Sequence, residues 1–168
     1  MATHVLVVPA SGHVTGTYPT TCHRNPGDDP RLPVLACTPG SIRSDIDPTH
    51  LELTVCKPNW SATVRPPTTE TNRSKTAAMA SYGVPVSQRP VTELDHLVPL
   101  ELGGGNSTTN LWPEVSDKPG RGFRNSKDAV EDEVHSWVCH GNQAQWSVAV
   151  SAFASNWTTA ERSLGIKP

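Results

Sequence analysis

Proline and glycine interrupt this chain so often that long helices cannot dominate its fold. Sixteen prolines and twelve glycines account for one residue in six of the 168. Proline lacks a backbone hydrogen-bond donor and glycine favours turns, so both tend to end regular elements. At this length we expect a single domain, and a hydrophobic fraction of 35% leaves it a small core. No apolar run approaches the ~18 residues of a membrane-spanning helix, so we expect no membrane partner.

The first third of the chain, residues 1–67, is predicted to form a turn- and strand-rich extension. Residues 25–30 and 38–40 are mostly proline, glycine, asparagine and aspartate, which favour turns. Residues 51–55 and 61–65 alternate between apolar and polar side chains, a pattern typical of half-buried strands.

The remaining residues predict alternating helices and strands. The apolar pattern and the flanking glycines indicate a short helix and linker over 68–90, with the helix at 69–82 and Gly83 at its end. The further predicted elements are a strand from 92 towards 100, a strand at 110–112 ended by Pro113, a helix over 126–140 and a final helix over 145–157. We therefore expect an α+β fold, with a central unit over 91–141 and a C-terminal helix in 142–168 that packs on it.

Four cysteines, at positions 22, 37, 56 and 139, predict two disulfides and an oxidising compartment. The sequence does not decide the pairing, except that Cys139 must join one of the first three if all four are oxidised. Buried free thiols are the alternative. A zinc site that uses the neighbouring histidines, His23 and His140, is disfavoured because no Cys-x-x-Cys spacing is present.

The amino-terminal residues do not resemble a secretory signal. Residues 1–14 hold no lysine or arginine, and the apolar run from Val5 to Val8 stops at Pro9. Since the cysteines nevertheless favour an oxidising environment, we expect a secreted or cell-envelope protein that has no signal peptide within the printed sequence.

The charge of the chain is small overall but unevenly distributed. A formal charge of −2 excludes a uniformly basic nucleic-acid-binding protein, although a local basic cleft remains compatible with it. The middle segment, residues 57–127, carries nine Lys or Arg against six Asp or Glu, whereas both flanks are acidic. The basic character is therefore local and central.

Four polar residues in this central unit suit phosphodiester hydrolysis. Asp95 and His96 end a predicted strand, Asn110 lies near the start of the next, and Asn125 begins a predicted helix. A neutral imidazole has a pKa near ~6.5 and takes a proton from water at physiological pH. Carboxylate and amide oxygens are hard ligands that suit Mg²⁺ or a similar divalent ion. A helix N-terminus and nearby cations favour anion binding.

The residues around these positions resemble a known family. Residues 93–104 (ELDHLVPLELGG) and 110–114 (NLWPE) together resemble the HNH nuclease family, which has a ββα-metal fold, and residues 125–141 are similar to its closing helix. The resemblance covers about 91–141. A weaker one, in CTPG and WSATVRPP of the first third, is to exported bacterial HNH-like proteins.

The resemblance implies a role for each polar residue. His96 would be the general base that activates water, and Asp95 would bind a divalent metal ion, Mg²⁺ first and Mn²⁺ as an alternative. Asn110 would hold the loop by side-chain hydrogen bonds and so orient His96. Asn125 would be the second metal ligand, with Asp128 as the alternative ligand and a helix cap as the alternative role for Asn125.

Four cations near this unit are candidates for contacts with the nucleic-acid backbone. They are Lys118, Arg121, Arg124 and Lys127, in a stretch with no acidic residue between 118 and 127. A solvated loop is the alternative interpretation. Phosphate contacts carry no base information, so they predict low sequence specificity and activity that falls as salt is raised.

Two further sets of residues have structural explanations. The five tryptophans are expected to be core residues, since phenylalanine and tyrosine are scarce. An acidic stripe on the predicted helix is expected to face solvent; it comprises Asp128, Glu131, Asp132 and His135.

Together these observations predict a monomeric metal-dependent endonuclease that hydrolyses DNA, and RNA as a second substrate, with low sequence specificity. If such an enzyme is a toxin, an immunity or inhibitor protein is expected as a partner. The alternative is a catalytically silent, disulfide-braced extracellular module that binds nucleic acid or belongs to the cell envelope.

Overall fold

The computed structural model of the chain describes residues 4–168 and confirms the α+β class. Met1–Thr3, the first residues of the predicted extension, lie outside the described part. The strands are β1 (Leu6–Val8), β2 (Ser41–Arg43), β3 (Thr92–His96) and β4 (Leu111–Val115). The helices are α1 (Trp60–Val64), α2 (Thr68–Tyr82), α3 (Lys127–Cys139), α4 (Trp146–Asn156) and α5 (Ala160–Ser163). Within residues 4–168 no helix is long and apolar enough to cross a bilayer.

Two predicted strands of the first third are wrong, because both segments are helical. Residues Leu51–Leu53 form a 3-10 turn, and residues 60–64 form α1. Leu51 and Val55 are buried whereas Leu53 between them is 63% exposed. The buried positions are therefore four residues apart, as on a helix face, and the period of two in the sequence was coincidental.

Two short strands within the extension form a small parallel sheet. Leu6–Val8 pairs in parallel with Ser41–Arg43. The extension then continues the pairing onto the loop that follows β3, since Ile42 bridges Gly104 and Thr15 bridges Ser107. The glycine-rich loop is thus held by Ile42 and Thr15, which lie 62 and 92 positions before their partners in the sequence.

The central unit is a strand–loop–strand–helix arrangement. β3 and β4 are antiparallel, with Asp95 opposite Trp112 and His96 opposite Leu111. Pro113 lies inside β4 rather than ending it, and this is tolerated because each strand of a two-stranded sheet is an edge strand. α3 follows β4 and begins one residue later than predicted.

The core lies between α3, α4 and the β3–β4 sheet. Val134 and Val138 of α3 are fully buried, as the helical spacing predicts. Four of the five tryptophans are buried, and Trp137 is half-buried at the edge. The indole N–H groups of Trp146 and Trp157 donate to backbone carbonyls at 2.8 and 2.7 Å, which satisfies their polar atoms inside the core.

Both predicted disulfides are present. Cys22 joins Cys37 within the extension, and Cys56 joins Cys139. The second bridge links the extension to the last residue of α3, so the helix is fixed at its C-terminal end. Because all four thiols are bonded to one another, none is left to bind zinc.

Candidate active site

The loop between β3 and β4 is held by the side chain of Asn110. Its Oδ1 accepts the backbone N–H groups of Val98 at 2.9 Å and Ser41 at 3.2 Å. Its Nδ2 donates to the carbonyls of Val98 and Gly105, both at 3.0 Å. All four hydrogen-bonding positions of the buried amide are therefore used, and three of these bonds hold the loop that follows His96.

The same loop needs a glycine at position 104, because the backbone passes very close to the carbonyl oxygen of Val98 there. A Cβ atom at Gly104 would lie 1.9 Å from the carbonyl oxygen of Val98. No larger residue fits there unless the loop opens. Together with the Asn110 bonds, this close approach fixes the chain on the carboxyl side of His96.

Asp95 is the penultimate residue of β3, and its side chain contacts Lys127 of α3. The residue is 6% exposed, and its Oδ2 accepts the indole N–H of Trp112 at 2.9 Å. The ammonium group of Lys127 lies 2.9 Å from the same oxygen. One oxygen of Asp95 is thus occupied by two donors, and the residue also lines a cavity described below.

Lys127 does not contact solvent, so its predicted role in phosphate binding is wrong. It is the first residue of α3 and is fully buried beneath the β3–β4 sheet. Its Nζ donates to the backbone carbonyl of His96 at 2.8 Å and also contacts Asp95 and Glu131. Burial lowers the pKa of this ammonium, but the nearby carboxylates outweigh burial and the pKa is raised overall. Lys127 is therefore a buried counter-ion of the site.

The tautomer of His96 follows from its contact with Asn106. The His96 Nε2 lies 2.8 Å from Asn106 Oδ1. The Asn106 Nδ2 donates to the carbonyls of Ser11 at 2.7 Å and Val64 at 2.8 Å, so the amide orientation is fixed by two groups that only accept. Nε2 must therefore carry the proton, and Nδ1 is the unprotonated nitrogen of the neutral ring.

Burial keeps the imidazole of His96 neutral. It lowers the pKa of His96 to about 4, with the charges of Arg65 and Lys127 acting in the same direction and the Asn106 hydrogen bond opposing them. A ring with this pKa has a free lone pair on Nδ1 throughout the neutral range. It therefore has the protonation state that a general base requires.

Asn106 is a positioning residue that sequence reasoning missed. In the sequence it follows three glycines and begins an Asn-x-Thr/Ser triplet, which indicates only a turn or a glycan acceptor. Its partners, Ser11 and Val64, lie 95 and 42 residues away. No local signal reveals contacts of that range.

Asn125 occupies a helix-capping position. Its Oδ1 accepts the backbone N–H of Asp128 at 3.0 Å, and its Nδ2 lies 3.2 Å from Asp128 Oδ1. The amide oxygen expected to bind metal is thus used at the start of α3. Asp128, the alternative ligand, lines the same cavity as Asp95 and His96.

A strongly acidic cavity of about 340 Å³ lies between the β3–β4 sheet and α3. Asp95 and His96 line it, with Arg65 at its edge. Six carboxyl groups face this space, namely those of Glu93, Asp95, Glu101, Asp128, Glu131 and Asp132. The prediction that the acidic stripe of α3 faces solvent is therefore wrong for Glu131, whose carboxylate contacts buried Lys127.

The crowding of carboxyl groups raises several pKa values. Burial, with neighbouring negative charges, raises the pKa of Glu114 to about 10, that of Glu131 to about 8 and that of Glu93 to about 7. Burial also raises the pKa of Asp95, and Lys127 opposes it. The cluster therefore holds protons at neutral pH, and a cation entering the cavity competes with those protons.

The donor set fits a hard divalent cation with few protein ligands. Asp95 and Asp128 offer carboxylate oxygens, which Mg²⁺ prefers, whereas the amide of Asn125 does not face the cavity. Among residues 4–168 no group of three or more His, Cys, Asp or Glu is arranged to hold a metal ion. Mg²⁺ commonly binds through one or two carboxylates, together with waters and substrate phosphate. Asp95 and Asp128 would supply that number of carboxylate ligands.

The other predicted phosphate-binding residues lie apart from His96. Lys118, Arg121 and Arg124 are exposed on the loop between β4 and α3. None of them lines the acidic cavity or the neighbouring groove next to His96. Their role in binding nucleic acid stays a prediction.

Glu114→Gln should stabilise the protein at neutral pH. The folded-state pKa of about 10 lies above the usual value of 4.5, so the folded state keeps a proton that the unfolded state releases. Wild-type stability therefore falls as pH rises from 4.5, by roughly 3 kcal/mol at pH 7. Urea unfolding at pH 4.5 and pH 7 should show equal stability of both proteins at the lower pH and a more stable variant at the higher.

Glu133→Gln is the matched control for this experiment. Glu133 is partly exposed on α3, and its hydrogen bond with Lys167 lowers its pKa. The Glu133–Lys167 contact stabilises the folded state at neutral pH, and this stabilisation is lost as pH falls. Glu133→Gln should therefore change the pH dependence of the free energy of unfolding in the direction opposite to that of Glu114→Gln. An equal advantage of Glu114→Gln at both pH values would contradict a protonated Glu114.

His96 should have its proton on Nε2 and none on Nδ1 between pH 5 and pH 8. The fixed orientation of the Asn106 amide and the lowered pKa both require this state. Nitrogen-15 chemical shifts of the ring, assigned by comparison with His96→Gln, measure it directly. Asn106→Ala should mix the two tautomers, and a proton on Nδ1 in the wild-type protein would refute the derived geometry.

Comparison with known protein families, with curated proteins and with solved structures finds no match for this chain. The functional assignment therefore depends on the chemistry of this site: a neutral histidine with a free Nδ1, beside a cavity crowded with carboxyl groups.

Proposed function

We propose that this protein is a metal-dependent endonuclease of the HNH type, hydrolysing phosphodiester bonds in DNA, and in RNA as a second substrate. The observation that carries the proposal is the Nε2-protonated, neutral His96 at the edge of a cavity that contains Asp95 and Asp128. A base beside an acidic, cation-attracting cavity is the pairing that hydrolysis of an anionic ester needs.

The order of elements supports a ββα-metal core. β3 and β4 form an antiparallel pair, and α3 packs across it so that Lys127 reaches Asp95. Asn110 bonds the backbone on both sides of the loop, which agrees with a residue that orients His96 through the loop rather than by direct contact.

His96 takes the proton of the attacking water on Nδ1. The Nε2 proton remains bonded to Asn106, whose oxygen stabilises the imidazolium that forms. The hydroxide attacks phosphorus, the ester P–O bond breaks, and the leaving oxygen takes a proton from solvent. Because the ring is buried, its protonation is unfavourable, and the hydrogen bond to Asn106 reduces this cost.

Asp95 and Asp128 would hold a divalent cation, Mg²⁺ or Mn²⁺. When bound, the cation supplies positive charge against the phosphate and the leaving oxygen. The ionised carboxyl groups of the cavity repel a nucleic-acid strand, so the acidic cavity by itself disfavours the substrate. The activity is therefore expected to require the cation strictly.

Arg65 supplies a cation at the border of the acidic cavity. It is exposed and lines the cavity next to His96. Its guanidinium can contact a phosphate in two places at once, so it holds the scissile group against His96. The chain thus contributes a base, a positioning amide and a phosphate-binding cation.

The two disulfides indicate an oxidising environment. A secreted or envelope-located nuclease agrees with that setting. One chain contributes every side chain of the proposed site, which agrees with a monomer.

His96→Ala should lower plasmid nicking by at least 100-fold, because general-base catalysis contributes about 10²–10⁴-fold. Nicking is measured with Mg²⁺ or Mn²⁺, with and without EDTA. His140→Ala, an exposed histidine beyond α3, is the control and should keep full activity. Nicking that persists both in EDTA and in the His96→Ala variant would refute the mechanism. A wild-type protein that nicks no DNA with any divalent ion would indicate a catalytically silent binding module.

Asp128→Asn should raise the Mg²⁺ concentration needed for half-maximal activity about tenfold, because a ligand charge near the cation is lost. Asn125→Ala should leave that concentration unchanged and lower stability by about 1 kcal/mol, since it removes a helix cap. Metal titrations and urea unfolding of both variants distinguish the two positions. The reverse result would identify Asn125 as the ligand.

A further inference from the structure

A second groove, of about 440 Å³, meets the acidic cavity at His96 and has the opposite chemistry. It runs along α2 and the segment that leads into β3. Three cations line it, namely Arg65, Lys75 and Arg89, and we call it the basic groove. Phe123, from the loop between β4 and α3, lies at its wall.

The cations of the basic groove have only neutral partners. Lys75 Nζ donates to the backbone carbonyl of Arg89 at 2.9 Å. The Arg89 guanidinium donates to Thr76 Oγ1 at 2.8 Å and to the carbonyl of Asn72 at 2.9 Å. The ion pairs found among residues 4–168 involve none of the three cations.

This arrangement is unfavourable until an anion is present. Lys75 is half-buried, and burial together with the charge of Arg89 lowers its pKa. Adjacent like charges without a counter-ion repel each other, so an anion between them is stabilised by both. Glu93, the one carboxyl residue that lines this groove, is placed where the groove meets the acidic cavity, since it lines both.

His96 and Arg65 line both spaces. An anionic chain that lies in the basic groove therefore reaches His96, whereas a cation in the acidic cavity approaches the same residue from the other side. The two halves of the site separate the opposite charges that phosphodiester hydrolysis brings together.

We propose that the basic groove binds the sugar-phosphate backbone of a single nucleic-acid strand and delivers it to His96, with a base stacked on Phe123. The proposal rests on the nuclease function proposed above and names its substrate-binding surface. One strand is favoured because stacking on an aromatic ring requires an unpaired base, and cations that track a backbone beside such a ring are typical of single-strand binding.

The test is equilibrium binding of a fluorescein-labelled single-stranded oligonucleotide, measured by anisotropy in EDTA so that no cleavage occurs. Arg65→Gln/Lys75→Gln should bind at least tenfold more weakly. Its plot of log affinity against log salt should be less steep by about 1.4, which is ~0.7 for each lost phosphate contact. Unfolding midpoints equal to that of the wild type establish that the double variant is folded.

Lys57→Gln/Arg162→Gln is the matched control, since it removes the same charge from exposed positions outside the groove. It should keep nearly all of the affinity. Phe123→Leu should weaken single-strand binding about fivefold or more and leave binding of a duplex of the same sequence unchanged.

The outcomes separate the groove from the chemistry. If the groove variants bind the oligonucleotide more weakly but the wild-type protein cleaves no nucleic acid, the nuclease function is refuted and the binding role of the groove is supported. If the protein cleaves nucleic acid but the groove variants bind as tightly as the wild type, or the control variant loses as much affinity as they do, the binding role of the groove is refuted. The nuclease function is then still supported. Tighter binding of the duplex than of the single strand would overturn the single-strand assignment.

Discussion

The buried ammonium group of Lys127 is the interaction on which the candidate site depends. It joins the first residue of α3 to Asp95 at the end of β3, to the carbonyl of His96 and to Glu131. Removing a charge from such a buried pair leaves the partner uncompensated, at a cost of about 3–5 kcal/mol. The same contact thus fixes the packing of α3 on the sheet and the orientation of Asp95.

Two asparagines, Asn110 and Asn106, hold the loop after β3 and the ring of His96 by side-chain hydrogen bonds. Asn110 saturates its amide with the backbone of the loop and of β2, and Asn106 joins His96 to Ser11 and Val64. The extension is therefore part of the site rather than an addition to it, because residues of the extension accept the bonds that determine the tautomer of His96. The disulfide from Cys56 to Cys139 holds the opposite end of α3 to the same extension.

Charge is arranged around His96 in two opposed halves. The acidic cavity gathers six carboxyl groups and attracts a cation, whereas the basic groove presents Arg65, Lys75 and Arg89 without ion-pair partners. A phosphodiester and a divalent cation would each be repelled from the other's half. The two halves meet at His96, which lines both of them and whose ring is neutral.

The sequence by itself determined the α+β class, the β3–loop–β4–α3 order, the helical face of Val134 and Val138, and the presence of two disulfides, because periodicity, turn residues and cysteine content are local properties. It also singled out Asp95, His96 and Asn110 as neighbours in one short segment. Only the tertiary structure decided that Lys127 is buried, that Asn106 bonds to His96, that Asn125 caps α3 and that Cys56 pairs with Cys139. The physical reason is that burial and pairing depend on groups that meet from distant parts of the chain, and a lysine or a glutamate has the same local signature whether it ends in water or beneath a sheet.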